Sequence, residues 1–118
     1  KGQINRFHNV VERPNLEAFL ERMASYYTLH MFTASNKEYA DAVIDGIGIR
    51  RYFNTIWHRD HCQKIDNNYV KDLKSLPFPM SEMILIDDSN LQCENQPENS
   101  IQIKPFYGEA SDTEFTKL

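Results

Sequence analysis

Hydrophobic residues recur along this chain in three rhythms, and each predicts a different element. Met83-Ile84-Leu85-Ile86 is an unbroken apolar run. A run of this length reads as a strand buried on both faces of a parallel sheet. Leu16, Phe19, Leu20, Met23 and Tyr27 recur instead at helical spacing after Pro14, which predicts a surface helix with one buried face, proline being tolerated in its first turn. The next stretch, Thr28-Leu29-His30-Met31-Phe32, has strand composition and runs into Thr33-Ala34-Ser35. There a second helix is expected, with Ser35 and Glu38 as a capping box, Ala40, Val43, Ile44 and Ile47 on one face and Gly48 as the stop.

Further along, Phe53 to His58 reads as a strand, and Asp66-Asn67-Asn68 as a turn before Tyr69-Val70-Lys71-Asp72-Leu73. Pro77 and Pro79 break the chain ahead of the strand at 83–86. After Asp88 a short polar segment leaves room for one helical turn, Ser100 to Lys104 is another strand, and Asp112-Thr113-Glu114-Phe115 opens a last helix. Strands alternating with helices predict an α/β domain with a mostly parallel sheet.

At 118 residues the chain is a single domain with ordinary composition, 41% hydrophobic and 25% charged. Thirteen basic against seventeen acidic residues give a net charge of −4, and no basic run could track a phosphate backbone, which argues against direct nucleic-acid binding. No apolar stretch approaches the ~20 residues of a membrane span, and Lys1-Gly2-Gln3-Ile4-Asn5-Arg6 lacks the apolar core of a signal peptide. Cys62 and Cys93 suggest neither a disulfide scaffold nor a Cys-x-x-Cys metal site, so a reducing compartment fits best.

The candidate chemistry sits where the predicted strands end. In open α/β sheets ligands bind outside the carboxyl ends of the strands, and Asp87-Asp88-Ser89 follows the apolar run directly. Adjacent carboxylates there repel each other, and Mg²⁺ with a phosphate would relieve them. The same triplet is also a good helix start. Thr33 ends another strand, where a hydroxyl and helix-start amides can hold phosphate oxygens, and Lys71 adds a positive charge from a loop.

The motifs themselves carry a family resemblance. Phe32-Thr33-Ala34-Ser35 with Glu38-Tyr39-Ala40-Asp41, Arg59-Asp60-His61-Cys62, Asn68-Tyr69-Val70-Lys71-Asp72-Leu73, Ile86-Asp87-Asp88-Ser89, Gln96-Pro97-Glu98-Asn99 and Ser111-Asp112-Thr113-Glu114 occur in order from about Arg13 to the end. This set resembles the small C-terminal-domain, or NLI-interacting-factor-like, phosphatases of the haloacid dehalogenase superfamily. The resemblance implies a Rossmann-like haloacid dehalogenase fold and Mg²⁺-dependent removal of phosphate from phosphoserine or phosphothreonine in proteins. It implies catalytic and phosphate-binding roles for Thr33 and Lys71, phosphate binding at Ala34 and metal binding by Asp87 and Asp88. Small phosphatases often have asparagine at the second acidic position, whereas aspartate is common in the wider superfamily. Tyr39, Arg59 and Asn36 fall where members meet the substrate peptide. Asn36 replaces an apolar residue that several members place against a substrate proline, a departure that bears on proline-directed preference. Asn90 stands where proline is usual.

One motif of the family does not occur in residues 1–118. Members attack phosphorus with the first aspartate of Asp-x-Asp-x-Thr on the central strand, use the second as general acid and base, and form an aspartyl-phosphate. In this fold that strand lies between the strands at 28–32 and 83–86, and its absence would leave two unpaired edges in the core. The expectation is a partial domain completed by the rest of a longer polypeptide or by another chain. Two alternatives stand beside the protein phosphatase. One is a non-catalytic binding module on the same fold, as in the receptor subunit of the mitochondrial inner-membrane translocase; the other is a small-molecule phosphatase. Family and unpaired cysteines place the protein in nucleus or cytoplasm, and the translocase alternative places it at the mitochondrial inner membrane.

Overall fold

A computed structural model describes the backbone of residues 3–5 and 8–9 and the whole of residues 12–118. Strands β1 (Gln3–Asn5) and β2 (His8–Asn9) pair antiparallel. Helix α1 (Leu16–Ala24) follows Asn15, whose φ of 68° turns the chain into the helix, and it buries Phe19 and Leu20. The predicted helical face extended to Tyr27, but the helix stops short of it. The Ser25 hydroxyl donates to the Arg22 carbonyl and the amides of Tyr26 and Tyr27 both donate to Met23, closing the last turn so that Tyr27 lies outside and exposed.

Strand β3 (His30–Phe32) runs parallel to β4 (Thr55–Trp57), with His30 opposite Thr55 and Phe32 opposite Trp57. Between them crosses α2 (Lys37–Ile47), which ends at Gly48, where φ is 72°. The cap of α2 is Asn36 rather than the expected Ser35. Asn36 Oδ1 accepts from the Tyr39 amide at 2.8 Å, while the Ser35 hydroxyl is engaged by Thr33 Oγ1 at 2.6 Å. Phe19, Leu20, Ala40, Ile44, Ile47 and Ile49 form the larger core between α1, α2 and this strand pair.

A hairpin follows, β5 (Gln63–Ile65) with β6 (Asn68–Val70), closed by Asp66 and Asn67 at φ 48° and 67°. Positive φ at both central residues matches the right-handed twist of the two strands. Strand β7 (Leu85–Asp87) then runs parallel to β8 (Ser100–Gln102), and α3 (Asn90–Glu94) crosses between them. Leu73, Leu76 and Leu85 form a second core, against which Phe32 of β3 and Trp57 of β4 pack. That contact makes one body of the two parallel pairs.

Three expectations are corrected. The apolar run is not buried on both faces: Leu85 is 7% exposed, whereas Ile84 and Ile86 are 62% and 36% exposed. Side chains alternate along a strand, and among the described residues only the Leu85 side is covered. The strands are also not one mostly parallel sheet. They form four two-stranded sheets among the described residues, two parallel and two antiparallel, and β3 does not pair with β7. The final helix is one 3-10 turn, Glu114–Thr116. The mixture of helices with small parallel sheets is that of an α/β fold. No helix among the described residues is long and apolar enough to cross a membrane.

The two ends of residues 12–118 are tied by a near-buried ion pair. Arg13 Nε and Nη2 donate to the two Asp112 oxygens at 2.9 and 3.0 Å, Nη2 also reaches the Lys104 carbonyl, and the guanidinium lies over the rings of Phe106 and Phe115. Hydrogen bonds from Arg13 hold the Asp112 carboxyl below the ordinary aspartate range. Its pKa is therefore lower in the folded than in the unfolded chain, so the stabilisation is present above the unfolded value and disappears as pH falls through the folded one. Thermal midpoints followed from neutral into acid pH should fall more steeply for the native protein than for Asp112→Asn; identical acid limbs would mean that the pair contributes nothing. At the hairpin, Asn67→Val should cost roughly 1 kcal/mol and Asn67→Gly almost nothing by denaturant unfolding, because only the branched residue resists positive φ.

Candidate active site

The carboxyl ends of β3 and β7 carry the two halves of the site. At the end of β3 the Thr33 amide donates to the Trp57 carbonyl at 2.9 Å, so the parallel ladder holds right up to the threonine. Thr33 Oγ1 then accepts from the Ser35 amide at 3.1 Å, which folds residues 33–35 into a tight turn before α2. Arg59 closes this turn from outside. Its side-chain Nε donates to the Ala34 carbonyl and its own amide to the Ser35 carbonyl, each at 2.9 Å. The guanidinium lies 4.5 Å from the centre of the Tyr69 ring on β6, a cation-π stack that ties the hairpin to the turn.

The second half is an ion pair. Lys71, just past β6, places its ammonium 2.5 Å from Asp87 Oδ2 at the end of β7, and both side chains are largely buried, 14% and 8% exposed. Asp87 Oδ1 accepts from the Ser89 amide at 2.9 Å. Both oxygens of Asp87 are thus engaged, and its neighbour Asp88 is exposed.

Cys62 and Cys93 show that the halves meet. The Cys62 thiol donates to the Thr33 carbonyl at 3.9 Å; burial pushes its pKa up, and the positive charges of Lys71 and Arg59 pull it back. The Cys93 thiol donates to the Asp87 carbonyl at 3.7 Å and is pushed up by burial and by the Asp87 charge. Cys62 therefore sits against Thr33 and within the fields of Arg59 and Lys71, while Cys93 sits against Asp87. Asn36 and Tyr39 stand at the start of α2, Asn36 occupied as the cap and Tyr39 exposed at 42%.

Chemically, the site offers a hydroxyl and a lysine ammonium at the mouth of two parallel strands, a place suited to a phosphoryl group. No group of three or more histidine, cysteine, aspartate or glutamate side chains among the described residues could hold a metal ion, and of the two acids Asp88 is the exposed one. A cleft of about 490 Å³ lies elsewhere, between α2 and β4. Its charges are already spent on one another, Lys37 and Arg50 on Asp41 and Arg50 again on Asp45.

Two contributors escaped the sequence. Gln92 and Gln96 are buried at 6% and 5% exposure, and their amides bond the backbone around Lys71. Their spacing of four, which puts both on one side of a helical turn, was the available signal.

Residues 3–118 match the family described as NLI interacting factor-like phosphatase. The chain is 34% identical over 117 residues to the human "CTD small phosphatase-like protein", covering 99% of this chain and 42% of that protein. It is 38% identical over 109 residues to "CTD small phosphatase-like protein 3" of Caenorhabditis elegans, covering 90% and 37%. It is 32% identical over 110 residues to "CTD nuclear envelope phosphatase 1B" of Danio rerio, covering 92% and 45%. The chain spans less than half the length of these curated relatives.

Removing one member of the Lys71–Asp87 pair strands the other away from water. Asp87→Ala should destabilise the protein by about 3 kcal/mol, and adding Lys71→Met should restore part of the loss, since a buried charge without a partner costs more than an apolar pair. Denaturant unfolding of both variants checks this; a double variant no more stable than Asp87→Ala would show that the ammonium is not confined.

Proposed function

The chain belongs to the NLI interacting factor-like phosphatase family, and on that premise we propose that the whole protein is an Mg²⁺-dependent phosphatase acting on phosphoserine or phosphothreonine in proteins. The observation that carries the proposal is the Lys71–Asp87 pair set beside the Thr33 turn at the carboxyl ends of two parallel strands. A chain without phosphoryl chemistry has no need to confine an ammonium there.

In this proposal Thr33 and Ala34 hold phosphate oxygens at the strand-to-helix turn. The Lys71 ammonium, kept in place by Asp87, offsets the negative charge that gathers on the phosphoryl group and its nucleophile. Arg59 and Tyr39, with Asn36 beside them, face the substrate peptide. Asp88, exposed beside the ion pair, is the carboxylate that would hold Mg²⁺ together with residues beyond those described. The ion would supply Lewis-acid stabilisation of phosphate oxygens.

The nucleophile is assigned to an aspartate outside residues 1–118, on a strand seated between β3 and β7 in a Rossmann-like, haloacid dehalogenase-type sheet. Among the described residues β3 pairs only with β4 and β7 only with β8, while Phe32 and Leu85 pack in one core. Two strands that share a core yet are each paired on one side only among the described residues suit a parallel strand between them. The aspartate oxygen would attack phosphorus, the serine or threonine oxygen would leave with a proton from a second carboxyl, and water would then release phosphate. Two relatives bear nuclear-envelope names, which supports a nuclear location.

The full natural protein should release phosphate from a phosphoserine peptide with Mg²⁺ and stop when the ion is chelated. Thr33→Val or Lys71→Met should lower kcat by about a hundredfold or more, and Asp88→Asn should raise the Mg²⁺ concentration needed. Sequencing upstream of Lys1 should find Asp-x-Asp-x-Thr after an apolar run. A full-length protein without that aspartate pair, or without phosphate release, would sink the proposal.

A further inference from the structure

Lys71 is held by its backbone as firmly as by its charge. The Lys71 amide donates to Gln92 Oε1 at 2.6 Å, and the Lys71 carbonyl accepts from Gln96 Nε2 at 2.9 Å. The same two side chains bond the alternate residues on either side. Gln92 Nε2 donates to the Tyr69 carbonyl at 3.0 Å and the Leu73 amide donates to Gln96 Oε1 at 3.0 Å. Gln96 Nε2 also donates to the Gln92 carbonyl at 2.6 Å, joining the two glutamines to each other.

Residues 69, 71 and 73 present their backbone groups along one edge of an extended segment. Ordinarily a neighbouring strand would meet that edge; here two side-chain amides do, each turning an acceptor and a donor to it as a peptide group does. Such groups are expensive to bury unless bonded, and here the oxygen and the nitrogen of both amides have partners. We infer that Gln92 and Gln96 are positioning residues that set the register of Lys71, so that its ammonium meets the Asp87 carboxylate.

The geometry behind the inference is economical. Asp87 ends β7, and α3 starts three residues later, with the Cys93 amide bonded to the Ser89 carbonyl. One stretch, residues 87–96, therefore carries both the carboxylate that receives the ammonium and the amides that fix its backbone. The hairpin cannot slide without breaking both. Because Gln92 holds Tyr69 as well, and the Tyr69 ring lies under Arg59, the same side chain also sets where that guanidinium stands. A purely space-filling role would need neither amide.

The kinetic part of the test rests on the phosphatase proposal; the spectroscopic part does not. Gln92→Leu keeps the shape and removes both bonds. In the full natural protein it should lower kcat on a phosphoserine peptide roughly ten- to hundredfold with KM within about threefold. Combined with Lys71→Met, it should lose little beyond Lys71→Met alone, because both changes act through one group. An unchanged kcat, or losses that multiply, would overturn the inference. Gln92→Glu keeps the acceptor for the Lys71 amide; it should lose less than the leucine variant, and it serves as the test if the leucine variant does not fold. Should the native protein release no phosphate, the phosphatase proposal fails and the clamp is decided separately by NMR. Protection of the Lys71 amide from exchange and the Lys71 ammonium nitrogen signal should both change in Gln92→Leu, and unaltered values would overturn it.

Discussion

A lysine ammonium drawn largely out of water must have a carboxylate, and in this protein that requirement joins elements which nothing else connects so closely. Lys71 arrives on the continuation of a hairpin and Asp87 at the end of a parallel strand. Bringing them together obliges the segment after β6 to lie along α3, where its backbone groups need partners of their own. Gln92 and Gln96 meet that need. The ion pair is thus less a source of stability than a constraint on register, the best attested use of charges inside proteins.

The larger framework is two cores and one tie. The core of α1, α2 and the β3–β4 pair sets where Thr33 emerges, and the smaller core at Leu85 sets where Asp87 emerges. Phe32 and Trp57 touch the second core, so the two strand ends are fixed relative to one another by packing rather than by hydrogen bonds. Arg13 with Asp112, seated over Phe106 and Phe115, and Arg22 bonded to the carbonyls of Phe115 and Leu118 hold the far end of the chain against α1.

The resemblance and the geometry of the candidate site divide the work differently among the residues. The family resemblance treats Asp87 and Asp88 as a metal-binding pair. In the structure Asp87 spends its oxygens on Lys71 and on the Ser89 amide, leaving Asp88 as the exposed carboxylate. Asn36 likewise has a local task, capping α2 through its side-chain oxygen.

The sequence by itself determined α1, α2, the strands β3, β4, β7 and β8, the turn around Asp66-Asn67 and the phosphatase family, because these depend on near neighbours: periodicity, turn chemistry and the motif strings; it gave no sign of β5, whose three residues are all exposed. It misjudged local ends wherever one side chain outcompeted another, as Asn36 did Ser35 at α2 and as Ser25 did in closing α1 before Tyr27. Only the tertiary structure decided which face of the 83–86 run was covered, that the two parallel pairs share a core without sharing a ladder, and that Gln92 and Gln96 turn inward to grip Lys71. Burial and hydrogen-bond satisfaction are set by residues distant in sequence, and a polar residue four places from another gives no sign of which backbone it will meet until the fold brings that backbone to it.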